Sequence, residues 1–422
     1  MFLIPIIVII AVFSLYQYKN KLVFGAVSFI ISVYIVMSLC AIVLYLLGEN
    51  RNSFDIQLEP MLYLSLCFFI AFYGFFSYTD SQHYVLVIEN KLLLKWLEIF
   101  QIFTSIGAIF FFSYFAFSAL SGNIADNRID IQYRQENLGS YALLNTFFSL
   151  IGNLFVLSIM LVFVNLATIG RGGSRFRARL LLVLSSVYIF YILAYVGRDG
   201  FVYWIFSFVF LYLIFKDFIP VVERKSVIKW IFIVAIPAFF AFMAITLSRF
   251  KNDSFLIPLL DYAGSQVFYF NDHYLVDPPM QMGLLNFKQF LDLGAVLSGN
   301  EQPFFDRYEW FKFYTDRNVV PWVFSTYIGS FFHDFGRIGT LLLVTFISIF
   351  THISLRSRKK IGGFTFSNLI IFFVLSQIVL WGVFYYRQYT GFYYIVVMIL
   401  ISISFKTLRN NHEVLVLQKR GP

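Results

Sequence analysis

Charge is what this sequence has least of. Asp, Glu, Lys and Arg make up 13% of its 422 residues, where a soluble domain carries about 25%. So few charges cannot clothe a water-facing surface of this size, which excludes an ordinary soluble enzyme. Cysteine is nearly absent as well. Cys40 and Cys67, each inside an apolar run, are too few for a disulfide framework and lack metal-ligand spacing. They read as small buried hydrophobes. No Walker A, H-E-x-x-H or G-x-S-x-G pattern occurs. The "DFG" at 334–336 lacks the glycine-rich and catalytic loops of a kinase.

Long uncharged runs take the place of charge. The chain is 59% hydrophobic, with mean hydropathy +0.76, and it contains 56 Phe and 27 Tyr. A spanning helix needs about 20 predominantly apolar residues. On that basis spans are expected near 2–16, 22–47, 60–78, 94–120, 142–168, 179–196, 199–215, 229–247, 336–353, 366–384 and 389–405. The fold class is therefore an all-α polytopic membrane protein of about eleven helices. The opening "MFLIPIIVII" has no positive region of the kind a cleavable signal peptide carries, so it reads as a retained first helix.

Positive charge orients these spans. Alternate connections hold "QYKNK", "RGGSRFRAR", "KDFIPVVERKSVIK", "LRSRKK" and the tail "KTLRNNHEVLVLQKRGP". Placing them in the cytoplasm puts 20 of the 32 Lys and Arg there, but 6 of the 23 Asp and Glu. The pI of 9.3 thus reports topology rather than nucleic-acid binding. The N-terminus is expected outside and the C-terminus in the cytoplasm. The organisation expected is an N-terminal bundle of about eight helices (1–247), a long external loop (248–335), C-terminal helices (336–405) and a cytoplasmic tail (406–422). Every other connection is short, so recognition concentrates in that loop.

Four polar clusters fall on the outer side. "YVGRDGF" is a tight turn whose glycines bend easily, and Arg198 within it either pairs with Asp199 or grips a phosphate. "LSRFKND" brings Arg249 and Lys251 out of a span, either snorkelling or facing an anion. The loop contributes an amphipathic stretch, "NFKQFLDLGAVL", and then "PFFDRYEWFKFYTDR" with Trp310 among carboxylates. That second pattern suits interfacial anchoring and also sugar binding. The fourth cluster pairs "STYIGSFFHDFGRIGTLL" with "FYYRQYTGFYY", which holds Tyr385, Tyr386 and Arg387. Within the former, Asp334 sits where the apolar run begins and reads as an N-terminal cap or as a functional acid; His333 reads as an interfacial or a catalytic histidine. No acidic D-x-D pair suggests a bound divalent ion, so metal-independent chemistry without a cofactor is expected.

The Gly197–Gly200 turn, Arg249 on a later helix, a long external loop, and Thr326 followed by Asp334-Phe-Gly-x-x-Gly339 come in a familiar order. The sequence resembles the Wzy-type O-antigen or oligosaccharide repeat-unit polymerases. The resemblance implies a helical GT-C-like membrane fold and a glycosyltransferase acting on undecaprenyl-diphosphate-linked oligosaccharides at the outer leaflet. It implies that Arg198 and Arg249, with Lys251 and Arg387, hold the diphosphate. His333 or Asp334 then orients or deprotonates the acceptor hydroxyl, and Thr326, Tyr327, Tyr385, Tyr386 and Trp310 contact glycan. It also implies membrane lipids and a chain-length regulator as partners. An O-antigen ligase is the nearest alternative; ligases place a His several residues before this Gly-x-x-Gly, where this chain has Phe324-Ser325-Thr326-Tyr327. A transporter of lipid-linked sugars is a further alternative, for which paired charges or broken helices near mid-membrane are the expected signs.

If the two arginines hold a diphosphate, Arg198→Ala and Arg249→Ala each abolish chain extension while the protein still reaches the membrane in normal amounts. Glycan ladders and membrane immunoblots check this, and wild-type chain lengths remove the residue concerned from that role.

Overall fold

In a computed structural model of the chain, the described residues are 1–49, 54–78, 85–120, 142–195, 197, 199–249, 256–278, 280–281, 283, 298, 312–317, 319, 325–361, 363–384, 391–408 and 414–418. Fifteen α-helices of eight residues or more lie among them. In chain order these are α1 (Leu3–Lys19), α2 (Ala26–Leu46), α3 (Leu58–Tyr73), α4 (Lys91–Leu120), α5 (Ala142–Asn153), α6 (Phe155–Ala167), α7 (Arg175–Leu184), α8 (Val187–Ala194), α9 (Asp199–Phe215), α10 (Val221–Arg249), α11 (Leu256–Gly264), α12 (Gln266–Val276), α13 (Thr326–Ile361), α14 (Phe366–Trp381) and α15 (Gly391–Thr407). Three short strands accompany them, β1 (Val85–Ile88), β2 (Gly363–Thr365) and β3 (Leu415–Gln418).

Helix dominates because hydrocarbon offers no partner to a backbone N–H or C=O, and a helix satisfies both internally. Among the described residues six helical segments are long and apolar enough to cross a membrane: Ala26–Leu46, Leu58–Ser77, Lys91–Ser118, Arg175–Ala194, Val221–Met243 and Thr326–Leu355. The pair Leu144–Asn153 and Phe155–Ala167, bent by 42° at Leu154, makes a seventh if it is one broken span rather than a re-entrant loop. Shorter apolar helices occupy Leu3–Lys19, Asp199–Phe215, Phe366–Trp381 and Tyr394–Thr407. The protein is a multi-pass membrane protein by helix length and hydropathy.

The pattern of exposure is inverted relative to a soluble protein. On α4, Phe103, Phe110 and Phe117 are 71%, 76% and 79% exposed, whereas Gln101 and Ser105 are wholly buried. A seven-residue spacing keeps the three rings on one face, and lipid is the solvent for such a face. The polar residues turn inward, where Gln101 Nε2 donates to Ser105 Oγ (3.1 Å) and Ser158 Oγ (2.9 Å).

The chain divides into two compact units. One comprises Met1–Gln82, Ser254–Gly362 and Ser367–Ser402; the other comprises His83–Asp253, Gly363–Phe366 and Ile403–Pro422. The second unit holds the sheet, in the order β2-β1-β3. β1 pairs in parallel with β2, Val85 opposite Gly363, and antiparallel with β3, Val85 opposite Gln418. Glu89, just after β1, accepts a hydrogen bond from Phe366 N at 3.0 Å and so caps the start of α14. The same unit buries Glu98 against Arg177 (3.2 Å), and Arg175 pairs with Glu223 (2.6 Å).

The first unit holds most of the stretch expected as the external loop. Its long helix begins at Thr326, ten residues before the edge expected at 336, and α11 and α12 fall inside the stretch expected as loop. The reason is hydropathy: Ser325, Thr326, Ser330, His333 and Asp334 are polar yet buried, and their bonds within the protein replace those to water. Gly74, at the end of α3, packs tightly against this helix. A Cβ there falls 2.5 Å from the Ser348 carbonyl oxygen, and backbone cannot step aside. Gly74→Leu is therefore expected to destabilise by about 1–3 kcal/mol through overpacking, read as a lowered thermal midpoint in detergent.

Candidate functional site

The site is assembled in the first unit from α3, α12, α13 and the short helical turn 312–315. Its foundation is "FNDH" on α12. Asn271, Asp272 and His273 are adjacent polar residues in an apolar helix, and all three are at most 1% exposed. Burial of such groups requires partners. Asn271 Oδ1 accepts from Gln57 N at 2.9 Å, and Asp272 Oδ1 accepts from Phe54 N at 3.2 Å. Asn271 Nδ2 donates to the Asp55 carbonyl at 3.3 Å. These bonds hold the segment leading into α3, and so set where its first turn lies.

His273 reaches the other way. Its Nδ1 lies 3.0 Å from His333 Nε2 on α13, and His333 Nδ1 is bonded to the Tyr314 hydroxyl. His333 is 2% exposed and Tyr314 not at all. A neutral imidazole has one donor and one acceptor nitrogen, so two proton arrangements satisfy the chain. In one, Tyr314 donates to His333 and His333 to His273; in the other both donations reverse. Burial pushes the Tyr314 phenol well above its ordinary pKa, which keeps it a hydroxyl. The three groups form one buried hydrogen-bonded chain.

Asp334, next to His333, is fully buried and its Oδ1 accepts from Gly283 N at 2.9 Å. The reading of Asp334 as the cap of the span is thereby corrected: the helix starts eight residues earlier, and the carboxylate holds a loop instead. Gly336 breaks the helix two residues on, at φ 64° and ψ −169°. That conformation is essentially restricted to glycine. The break releases the His333 carbonyl from its helical partner, and Gln281 N approaches it at 3.4 Å.

After the break Arg337 turns to the surface. Its Nη1 donates to Glu59 Oε1 at 2.8 Å, its Nε lies 3.6 Å from Asp277 Oδ1, and its guanidinium sits 4.3 Å from the centre of the Tyr274 ring. The Tyr274 hydroxyl also donates to Glu59 Oε1, at 2.8 Å. Burial first, and then its bond to Glu59, push the Tyr274 phenol up to about 12, so it remains a donor at neutral pH. The Tyr63 hydroxyl donates to the Arg337 carbonyl at 2.6 Å. An exposed pair such as Arg337–Glu59 contributes only about 0–1 kcal/mol; its importance is positional.

Beside this network opens a cleft of about 960 Å³. Asp55, Gln57, Glu59, Tyr63, Tyr274 and Phe54 form its mouth, and Leu58, Leu62, Leu66 and Leu275 line the remainder. Leu58, Leu62 and Leu66 recur every fourth residue along a candidate span and are 45%, 51% and 46% exposed. Polar mouth and leucine stripe are thus continuous. Among the described residues no three His, Cys, Asp or Glu side chains converge as metal ligands do.

Of the residues expected from sequence, the structure brings His333 and Asp334 into this site. Thr326 and Tyr327 lie a few turns away and are buried. Their backbone N–H groups donate to Phe384 O (2.8 Å) and Gly382 O (2.7 Å), so they join α13 to the segment that follows α14. Arg249 ends α10, and its side chain is outside those described; Arg198, Lys251, Trp310, Tyr385, Tyr386 and Arg387 lie outside the described residues. Sequence reasoning missed Glu59, Asn271, Asp272, His273, Tyr274 and Tyr314. The legible signal was "FNDHY", three polar residues in a row inside an apolar run.

Gly336→Ala is expected to cost about 1–3 kcal/mol, measured by thermal unfolding. In the same assay His273→Ala and His333→Ala should be non-additive, with coupling of at least about 0.5 kcal/mol; additive losses contradict a hydrogen-bonded histidine chain. No family model, curated protein or solved structure matches the chain.

Proposed function

We propose that this protein is a glycosyltransferase that polymerises lipid-diphosphate-linked oligosaccharide repeat units at the outer leaflet of a bacterial cytoplasmic membrane. The observation that carries the reading is the cleft. Carboxylates, an amide and phenols at its mouth suit a ring of sugar hydroxyls, and aromatic faces suit the apolar face of a pyranose. The leucine stripe that continues it along a span suits a polyprenyl chain. A soluble sugar leaves the stripe unused and a simple lipid leaves the mouth unused, whereas a lipid-linked saccharide uses both. The resemblance to the Wzy-type polymerases supplies the reaction: the growing glycan moves from its lipid diphosphate to a hydroxyl of an incoming unit. Arg198 and Arg249, with Lys251 and Arg387, neutralise the departing diphosphate, in the way fixed donors stabilise developing charge.

Support for the orientation comes from the sheet. Its three strands belong to the 78–91 connection, the segment after "LRSRKK" and the C-terminal tail; the charge rule puts the last two in the cytoplasm, and the expected alternation of spans puts the first beside them. If the bent pair and the four shorter apolar helices also cross, the six long segments become the eleven spans that this alternation requires.

A second reading, transport of a lipid-linked saccharide, draws on one observation. The 42° bend at Leu154 lies where Gln101 Nε2 meets the Leu154 carbonyl (3.4 Å) and Ser158, and broken helices lined by buried polar groups occur in transporters. Glycan ladders from cells with and without the protein, beside its own repeat-unit pathway, separate these. Polymerisation predicts loss of long chains with a single repeat still attached to its normal anchor. Loss of all attached glycan while lipid-linked polymer accumulates indicates a ligase; an unchanged ladder removes both and leaves transport.

A further inference from the structure

The buried histidine chain and the open cleft pose a problem for glycosyl transfer. A base must reach the attacking hydroxyl within hydrogen-bond distance. His333 is 2% exposed and both its ring nitrogens are engaged, one by His273 and one by Tyr314. Asp334 is fully buried and bonded to the Gly283 amide. Neither presents an atom to a substrate in this arrangement.

Glu59 does. It lines the cleft, and its side chain is 67% exposed. Tyr274 and Arg337 both bond to its Oε1, and among the described residues Oε2 has no partner. Two donors on one oxygen fix the carboxylate plane and leave the second oxygen to the cleft. The donors themselves are set by the histidine chain. Tyr274 comes directly after His273 on α12, and Arg337 comes four residues after His333, just past the Gly336 break. Asn271 and Asp272 meanwhile hold the segment from which α3, and therefore Glu59, begins. Every element that presents Glu59 is thus tied to one buried cluster.

We infer that Glu59 is the group that accepts the proton of the acceptor sugar hydroxyl, and that His273 and His333 are positioning residues that act through Tyr274 and Arg337. The inference rests on the polymerase reading. In the step, the hydroxyl oxygen forms a bond to the anomeric carbon of the donor glycan. The bond from that carbon to the diphosphate oxygen breaks, and its electron pair leaves with the diphosphate. The hydroxyl proton passes to Glu59 Oε2 and then to water. No oxidant, reductant or further reactant is needed.

The test is polymerisation by full-length protein in detergent, using the polyprenyl-diphosphate-linked repeat unit of its own pathway. Glu59→Gln keeps an oxygen for Tyr274 and Arg337 but cannot take a proton. It is expected to lower kcat on the order of 100-fold or more with KM within about threefold, a pattern that marks an interaction made in the transition state. Glu59→Ala, assayed with added formate, is expected to regain a large part of the lost rate, because a small carboxylate can occupy the vacated space. His333→Asn should change kcat without any response to formate. A Glu59→Gln enzyme within threefold of wild type overturns the role of Glu59 alone. So does a variant whose loss lies wholly in KM, or a Glu59→Ala enzyme that formate leaves inactive. Wild-type protein that makes no polymer from this substrate overturns the polymerase reading, and the role falls with it.

Discussion

The chain of Tyr314, His333 and His273 is the interaction on which the first unit of this protein depends. Three titratable groups have been taken from water and joined end to end, at the place where α12, α13 and the 312–315 turn meet. Burying polar groups is tolerable only when each finds a partner, and leaving one unpaired costs about 1–3 kcal/mol. The chain therefore permits one arrangement of three elements and penalises others. Asn271 and Asp272 extend the same constraint to the entrance of α3. A helix that slid by one residue against its neighbours would break several of these bonds together.

From this cluster the geometry propagates outward by small steps. Gly336 interrupts α13, so the helix can turn beyond residue 336 without disturbing the turns that carry His333. Arg337 then reaches Glu59 and Asp277 while its guanidinium lies on the Tyr274 ring. The result separates rigidity from access. Groups that set position are wholly buried, and groups able to meet a ligand stand at the mouth of an open cleft. Such division is what a precise site on a membrane surface requires, since side chains at an interface otherwise exchange partners freely with headgroups and water.

Sequence alone reaches the broad architecture because hydrocarbon imposes a simple rule: long apolar runs become helices. Each of the eleven expected runs overlaps a described helix or helix pair, and six or seven of these are long and apolar enough to cross a membrane. Sequence fails where polarity and burial part company. Polarity marks "FNDHY" and "STYIGSFFHD" as external, yet their residues are buried and bonded. The same rule places the start of α13 ten residues late. Glu59 is invisible for the opposite reason. A single acid before an apolar run resembles any helix start, and only Tyr274 and Arg337, distant in sequence, single it out. The strands escape notice because "VLVI", "GFT" and "LVLQ" are too short to carry a period.

The small sheet has a consequence for how the chain is made. Val85 pairs with both Gly363 and Gln418, so β1 leaves the ribosome long before either neighbour exists. Until then this strand lacks its partners and its backbone bonds to water instead. Contacts between residues so far apart in sequence form slowly, and unpaired strand edges invite wrong partners. The sheet closes only once residue 418 has followed residue 85 by more than three hundred positions, which makes it a late fastening.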